Sequence, residues 1–206
     1  MKVPGGYIVA IEGIDAVGKN THSRLLSTWL RRKMVDTTHM SFPDYDTPIG
    51  REIKSFLSGR RAYPIELQHL LFAANRWEKL EDIRSCLRGG EVVVVNRYTE
   101  SNLAYGKANG LDTRWLASLE KGIPAANLVI VLDAPPHSLS ARRPGDGKDV
   151  YEKSSVLQAE AQKAYRELAR KRGWSLIDAD GPVGDVQASV TKAVRDALER
   201  DRGTSI

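Results

Sequence analysis

Seven consecutive residues near the amino end, Gly13-Ile14-Asp15-Ala16-Val17-Gly18-Lys19, have the spacing G-x-x-x-x-G-K that suits a polyphosphate ligand. Glycines let backbone N–H groups converge on phosphate oxygens, a helix opening at Lys19 presents its positive end, and the lysine adds a full charge. The next position commonly supplies a hydroxyl to Mg2+; here it is Asn20, followed by Thr21, whose hydroxyl suits an α phosphate. An amide oxygen can reach the ion directly or through water. Phe72 and Arg76 stand four residues apart, so on a helix an aromatic face and a guanidinium share one side, although a core Phe72 with a surface Arg76 fits the same spacing. Arg97 follows an aliphatic run, at the kind of strand end where α/β proteins hold ligands, and its planar fork matches a phosphate.

These groups need a scaffold. Short aliphatic and β-branched runs at Tyr7 to Glu12, Thr37 to Phe42, Glu91 to Asn96, Leu128 to Asp133 and Trp174 to Asp178 predict five buried strands. Helical periodicity fills the intervals at Lys19 to Lys33, Ile65 to Leu87, Thr113 to Lys121, Ser154 to Arg172 and Val183 to Arg200. Strands alternating with helices predict an α/β fold of three layers, αβα, with a five-stranded parallel sheet covered on both faces. Gly89-Gly90, Gly122-Ile123-Pro124 and Gly173 serve as helix stops. The basic, glycine-containing stretch Arg142 to Lys153 reads equally as a mobile lid or as a polar surface loop.

At 206 residues the chain matches one domain with elaborations rather than two cores, on a rule of roughly 150 residues per domain. Its 41% hydrophobic and 28% charged residues exclude disordered and fibrous classes. The longest aliphatic runs, Val92 to Val95 and Leu128 to Leu132, are far short of the ~20 apolar residues that span a bilayer, and the amino end lacks a secretory pattern, so a cytoplasmic location without membrane attachment is expected. Cys86 stands alone, and His22, His39, His69 and His137 lack metal-ligand spacing, so neither a disulfide nor a structural zinc site is expected. The net charge of +5 suits an anionic ligand, but basic and acidic residues are interleaved as on a solvated helix face, so no nucleic-acid partner is expected. The chain has no N-K-x-D guanine signature, which argues against a small GTPase.

With these motifs in place, the sequence resembles the thymidylate kinase family from Gly6 to about Leu198. Five blocks in order carry the resemblance: IEGIDAVGKNT (Ile11 to Thr21), FPDYDTPIG (Phe42 to Gly50), LLFAANRWE (Leu70 to Glu78), NRYTESNLAYG (Asn96 to Gly106) and the basic loop leading into DVYE (Asp149 to Glu152). The resemblance implies ATP, with Mg2+, as phosphoryl donor and thymidine monophosphate (dTMP) as acceptor. It implies that Gly13 to Thr21 bind ATP, that Phe72 stacks on thymine and that Arg76 donates to its O4. An arginine only donates, so cytosine, with an amino donor there, is rejected. By the same resemblance Arg97 holds the acceptor phosphate, Asp15 lies near the sugar hydroxyl, and Phe42, Pro43, Ser101, Tyr105 and Tyr151 line the acceptor nucleotide, the Tyr105 ring disfavouring a ribose 2′-hydroxyl. Some relatives carry an arginine inside the phosphate loop, where this chain has Ala16; others use arginines of the lid, a role open to Arg142 and Arg143. Lys19, Arg97, Arg142 and Arg143 are thus the expected catalytic cations.

Three departures from the pattern concern charge. Asn96 replaces the family's aspartate before Arg97, Asn20 replaces the hydroxyl residue, and Tyr45 replaces an arginine beside the acceptor phosphate. Asn20 and Asn96 remain candidate metal contacts through their amides or a water. Asp133, closing the fourth strand, reads either as a group that orients water near the ion or as a helix cap. These losses leave two alternatives, a deoxynucleoside monophosphate kinase with another base and a nucleotide-binding protein with weakened catalysis. The apolar residues Leu67, Leu70, Leu71, Phe72, Trp77, Leu80, Ile83 and Leu87 in one expected helix suit a symmetric dimer or packing within one chain.

Overall fold

The computed structural model describes residues 1–136, 138–139 and 149–203. Five strands, β1 (Tyr7–Glu12), β2 (Thr37–Ser41), β3 (Val92–Asn96), β4 (Leu128–Asp133) and β5 (Ser175–Asp178), form one sheet in the order β2-β3-β1-β4-β5. Every pairing is parallel, with Ile8 opposite Val93 and Ile11 opposite Ile130 fixing the central register. Residues Val92 to Val95 and Tyr7 to Ile11 have no exposed surface, as strands covered on both faces require. The outer strands carry polar residues such as Thr37, Thr38 and Asp178, and are only partly covered.

The helices are α1 (Lys19–Arg32), α2 (Pro48–Leu57), α3 (Ile65–Glu78), α4 (Leu80–Gly89), α5 (Thr99–Ala108), α6 (Thr113–Leu119), α7 (Val150–Lys153), α8 (Ser155–Arg172) and α9 (Val183–Arg202). In one group α1 packs on β2, β3 and α9; in the other α8 packs on α5, β4 and β5, while α4 lies against β3. The single helix expected from Ile65 to Leu87 is two, broken at Lys79. The apolar period runs through that residue, but α3 packs against α2 and α5 whereas α4 turns Ile83 against β3. Lys79 marks the turn, its N–H bonded to Arg76 O at 3.1 Å and its ammonium to Asp82 at 2.8 Å.

Besides the one-turn α7, two helices were absent from the sequence reading. In α2 the start was legible: Thr47 Oγ1 accepts from Gly50 N at 3.0 Å, and Pro48 occupies the first turn where a missing N–H costs nothing. Gly50 is obligatory, because a Cβ there would fall 1.7 Å from Asp44 O. The other, α5, directly follows Arg97 and has almost no solvent-facing apolar contrast, since Asn102, Leu103, Ala104, Tyr105 and Gly106 are all buried. Of the expected lid, residues 142 to 148 lie outside the described residues. Residues 149 to 153 form a capped turn in which Asp149 accepts from Tyr151 N and Glu152 N while Glu152 returns a bond to Asp149 N.

Candidate active site

Strand β1 ends at Glu12, and the loop from Gly13 to Gly18 turns the chain into α1. Positive φ at Gly13 (132°), Ala16 (62°) and Gly18 (100°) makes the loop curl, and a Cβ on Gly13 would lie 2.4 Å from Leu132 O. Lys19 is buried, and its ammonium donates to Ile14 O at 2.6 Å and sits 3.8 Å from the Asp15 carboxylate. Burial and Arg97 push that ammonium down to about 7, with Asp15 and Glu12 opposing.

Arg97 follows β3 in a left-handed conformation, φ 61°, which costs a residue with a side chain on the order of 1 kcal/mol. Neighbours hold it there: Arg97 N donates to Ile11 O at 3.1 Å, and Tyr98 N donates to Glu12 Oε1 at 2.6 Å. Glu12 also accepts from Ser101 Oγ (2.6 Å) and Tyr165 Oη (2.7 Å), joining β1, α5 and α8 beneath the site. The guanidinium pairs with Asp15 and donates to Ser101 Oγ and Tyr105 Oη, both at 3.3 Å. Burial alone raises the Asp15 pKa, but Arg97 and then Lys19 outweigh it and hold the carboxyl well below the usual range. Gln158 of α8 clamps the same residue, donating to Asp15 Oδ2 at 2.9 Å and accepting from Asp15 N at 3.1 Å.

A cleft of about 820 Å3 opens at the carboxyl ends of β2, β3 and β1. Asp15, Asn20 and Asn96 line its loop end, Phe42, Pro43, Tyr45, Arg97 and Ser101 its middle, and Phe72, Arg76, Tyr105 and Tyr151 its far end. The Phe72 ring meets Phe56 edge-on at 5.5 Å and Tyr151 at 6.0 Å, and Tyr105 lies 5.8 Å from Tyr151. Burial, then Asp15, raises the Tyr105 pKa, so the phenol stays neutral. Tyr45 is partly exposed; burial and Asp149 push its phenol up to about 12, with Arg97 opposing.

The candidate metal contacts differ. Asn96 Nδ2 donates to Ser41 Oγ at 3.0 Å, while Asn96 Oδ1 is buried with no partner among the described residues. Asn20 is exposed, and its Oδ1 accepts from Arg24 Nε at 3.0 Å. Thr21 is exposed on α1 and is not among the cleft residues. The Asp133 carboxylate accepts from Arg166 Nε (2.7 Å) and Gln162 Nε2 (2.6 Å). Arg142 and Arg143 lie outside the described residues.

A family profile described as thymidylate kinase matches residues 11–190. The chain belongs to the thymidylate kinase family. A thymidylate kinase of Plasmodium falciparum is 34% identical over 190 residues, spanning 92% of this chain and 90% of that protein. One of Arabidopsis thaliana is 32% identical over 196 residues, spanning 95% of this chain and 73% of its own. Among solved structures, thymidylate kinase from Candida albicans superposes with a TM-score of 0.81 at 27% identity, covering 94% of each chain.

Within this thymidylate kinase fold, several cleft-supporting residues escaped the sequence reading. Asn102 lies inside the NRYTESNLAYG block and His69 one residue before LLFAANRWE, so proximity to a motif was their signal. Glu12 sits in the first block, but only the fold shows its three bonds. Gln158, Glu120 and Tyr165 stand in no motif, and spacing offers no route to them.

Proposed function

We propose that this thymidylate kinase transfers the γ-phosphoryl group of ATP to dTMP in line, yielding dTDP. One observation carries the reading: Asp15 of the phosphate loop pairs with both Lys19 and Arg97, so the triphosphate loop and the pyrimidine-facing residues Phe72 and Arg76 share a single cleft. The acceptor oxygen is ionised near neutral pH and needs alignment rather than a base. Arg97 forks onto the acceptor phosphate and Lys19 shifts from Ile14 O to the donor's β and γ oxygens, whose charge favours the protonated amine. Asp15, held ionised, accepts from the sugar hydroxyl while Gln158 keeps its orientation. Phe72 stacks on the base, and the hydroxyls of Ser101, Tyr105 and Tyr151 line the nucleotide between base and phosphate. Arg142 or Arg143 meets the transferring group, supplying the cation that Ala16 lacks.

The residues present fit a magnesium ion through Asn96, whose unpartnered Oδ1 suits a hard cation or its water; Asn20 fits less well because Arg24 already occupies its oxygen. When bound, the ion would neutralise charge on the donor phosphates. The protein acts in the cytoplasm, and no helix among the described residues is long and apolar enough to cross a membrane. It forms a homodimer: Leu67, Leu70 and Trp77 of α3 are exposed, at 38%, 42% and 42%, while Leu80 and Ile83 are buried within the chain. Steady-state ADP formation with Mg-ATP and dTMP, dUMP, dCMP, dGMP or UMP tests the activity. Turnover greatest with dTMP is expected; dTMP binding without turnover, or preference for another base, replaces this reading with one of its alternatives.

A further inference from the structure

Arg76 does not reach the cleft as a free side chain. It is 3% exposed, and its guanidinium grips Glu120 with two bonds, Nε to Oε2 at 3.0 Å and Nη2 to Oε1. Glu120 follows the last residue of α6 and is 8% exposed. Its Oε1 also accepts from Asn102 Nδ2 of α5 at 2.9 Å. The Asn102 amide turns its oxygen to His69 Nδ1 at 2.6 Å, and His69 Nε2 faces Asn109 Nδ2 at 3.2 Å. From Arg76 to His69 the contacts start and finish on α3, seven residues apart, after crossing the loop behind α6 and then α5, and Asn109 extends them beyond.

Polarity in this chain is determined from one end. An ionised carboxylate only accepts, so Asn102 must present its NH2 to Glu120 and its oxygen to His69. His69 therefore donates from Nδ1 and accepts at Nε2. Burial keeps the imidazole neutral, lowering its pKa to about 4. Arg76 Nη1, by contrast, has no hydrogen-bond partner among the described residues, and Arg76 lines the cleft. Stability is a weak reason for such a cluster, because a buried ion pair recovers little more than its desolvation cost. Placement is a stronger one, since Glu120 removes the rotamer freedom of a long cation.

We propose that Glu120 and His69 are positioning residues for pyrimidine selection: Glu120 clamps Arg76 so that only N–H donors face the base at C4, and His69 locks the Asn102 amide that donates to the same Glu120 Oε1 as Arg76 Nη2. The inference rests on the cleft being the dTMP site. Its consequence concerns cytosine. A carboxylate next to the base would accept the 4-amino group, but Arg76 Nη2 and Asn102 Nδ2 fill both sites on Glu120 Oε1, and Arg76 Nε takes one on Oε2. Discrimination then depends on sealing an acceptor as well as on presenting a donor.

Glu120→Gln, His69→Leu and His69→Asn test it, each assayed for kcat, for KM of ATP and of each monophosphate, and for equilibrium binding of dTMP and dCMP by calorimetry. For Glu120→Gln the expected effect is ~10-fold on KM for dTMP and ~10-fold or more on the dTMP to dCMP preference, with the change concentrated in KM rather than kcat. His69→Leu is expected to lower the preference by ~3-fold, and His69→Asn to recover it, because the asparagine amide nitrogen takes the place of Nδ1. Loss of kcat or a raised KM for ATP with an unchanged base preference overturns the proposal. Should Glu120→Gln fail to fold, 15N spectra of the wild-type imidazole decide: an Nδ1–H tautomer is expected, and an Nε2–H tautomer overturns the proposal. A wild-type protein that binds dCMP as well as dTMP would sink the acceptor assignment itself. A selective wild type with equally selective variants would sink only the clamp.

Discussion

The two ends of the cleft are built on opposite plans. At the base end, Arg76, Glu120, Asn102, His69 and Asn109 form a continuous run of bonds in which charge is paired and the imidazole is neutral. At the phosphate end, Lys19 and Arg97 share one carboxylate between two cations, and Asn96 Oδ1 has no partner among the described residues. Recognition of a neutral ring needs donors held still before the ligand arrives, and a network that pins Arg76 while leaving its Nη1 for the base does that. Transfer of a phosphoryl group needs positive charge left over for the ligand, so an excess of cations at that end is the functional state.

That contrast breaks most visibly at Lys19. In Lys19→Ala the turnover number is expected to fall ~100- to 1,000-fold, with calorimetric dTMP affinity changed by less than ~3-fold; comparable losses of both would mean that the two ends are not separable. His69 supplies the next largest effect. Its folded pKa of about 4 lies below the unfolded 6.5, so the unfolded chain takes up a proton first as pH falls. The stability it contributes is present above 6.5 and declines towards pH 4, by on the order of 3 kcal/mol. Urea unfolding at pH 7 and pH 4.5 reads this as a slope that His69→Asn flattens.

Phe72→Ala acts at the base end alone, with dTMP KM raised ~10-fold or more by loss of a stacking surface and kcat at saturation changed far less. A fall in kcat as large as the rise in KM would show that stacking also aligns the phosphates. The smallest effect is expected at Asn96. Asn96→Asp adds a carboxylate where an amide oxygen lacks a partner, and should lower the Mg2+ concentration for half-maximal rate by ~3- to 10-fold. An unchanged magnesium titration would place the ion away from Asn96.

The phosphate end was the more legible because its parts are contiguous: Gly13 to Lys19 curl by local backbone preference, and Arg97 stands at the end of an aliphatic run. The start of α2 was equally local, in Thr47 and Pro48, yet lay hidden inside a motif read for its chemistry. The break at Lys79 was not legible, since the apolar period continues through it and only the different packing partners of α3 and α4 interrupt the helix. The partner of Asp133 was hidden for a related reason, because Arg166 reaches it from 33 residues away. Asp15 and Gln158 stand 143 residues apart, Arg76 and Glu120 44 apart.

By itself the sequence determined five strands and the curl of the phosphate loop, because aliphatic runs and glycines act over a few residues, and its resemblance to a family supplied many of the side chains that line the cleft. The tertiary structure alone decided which carboxylate holds which cation. Such pairings depend on bringing distant segments to within 3 Å in a buried space, and residue type and spacing carry no information about that distance.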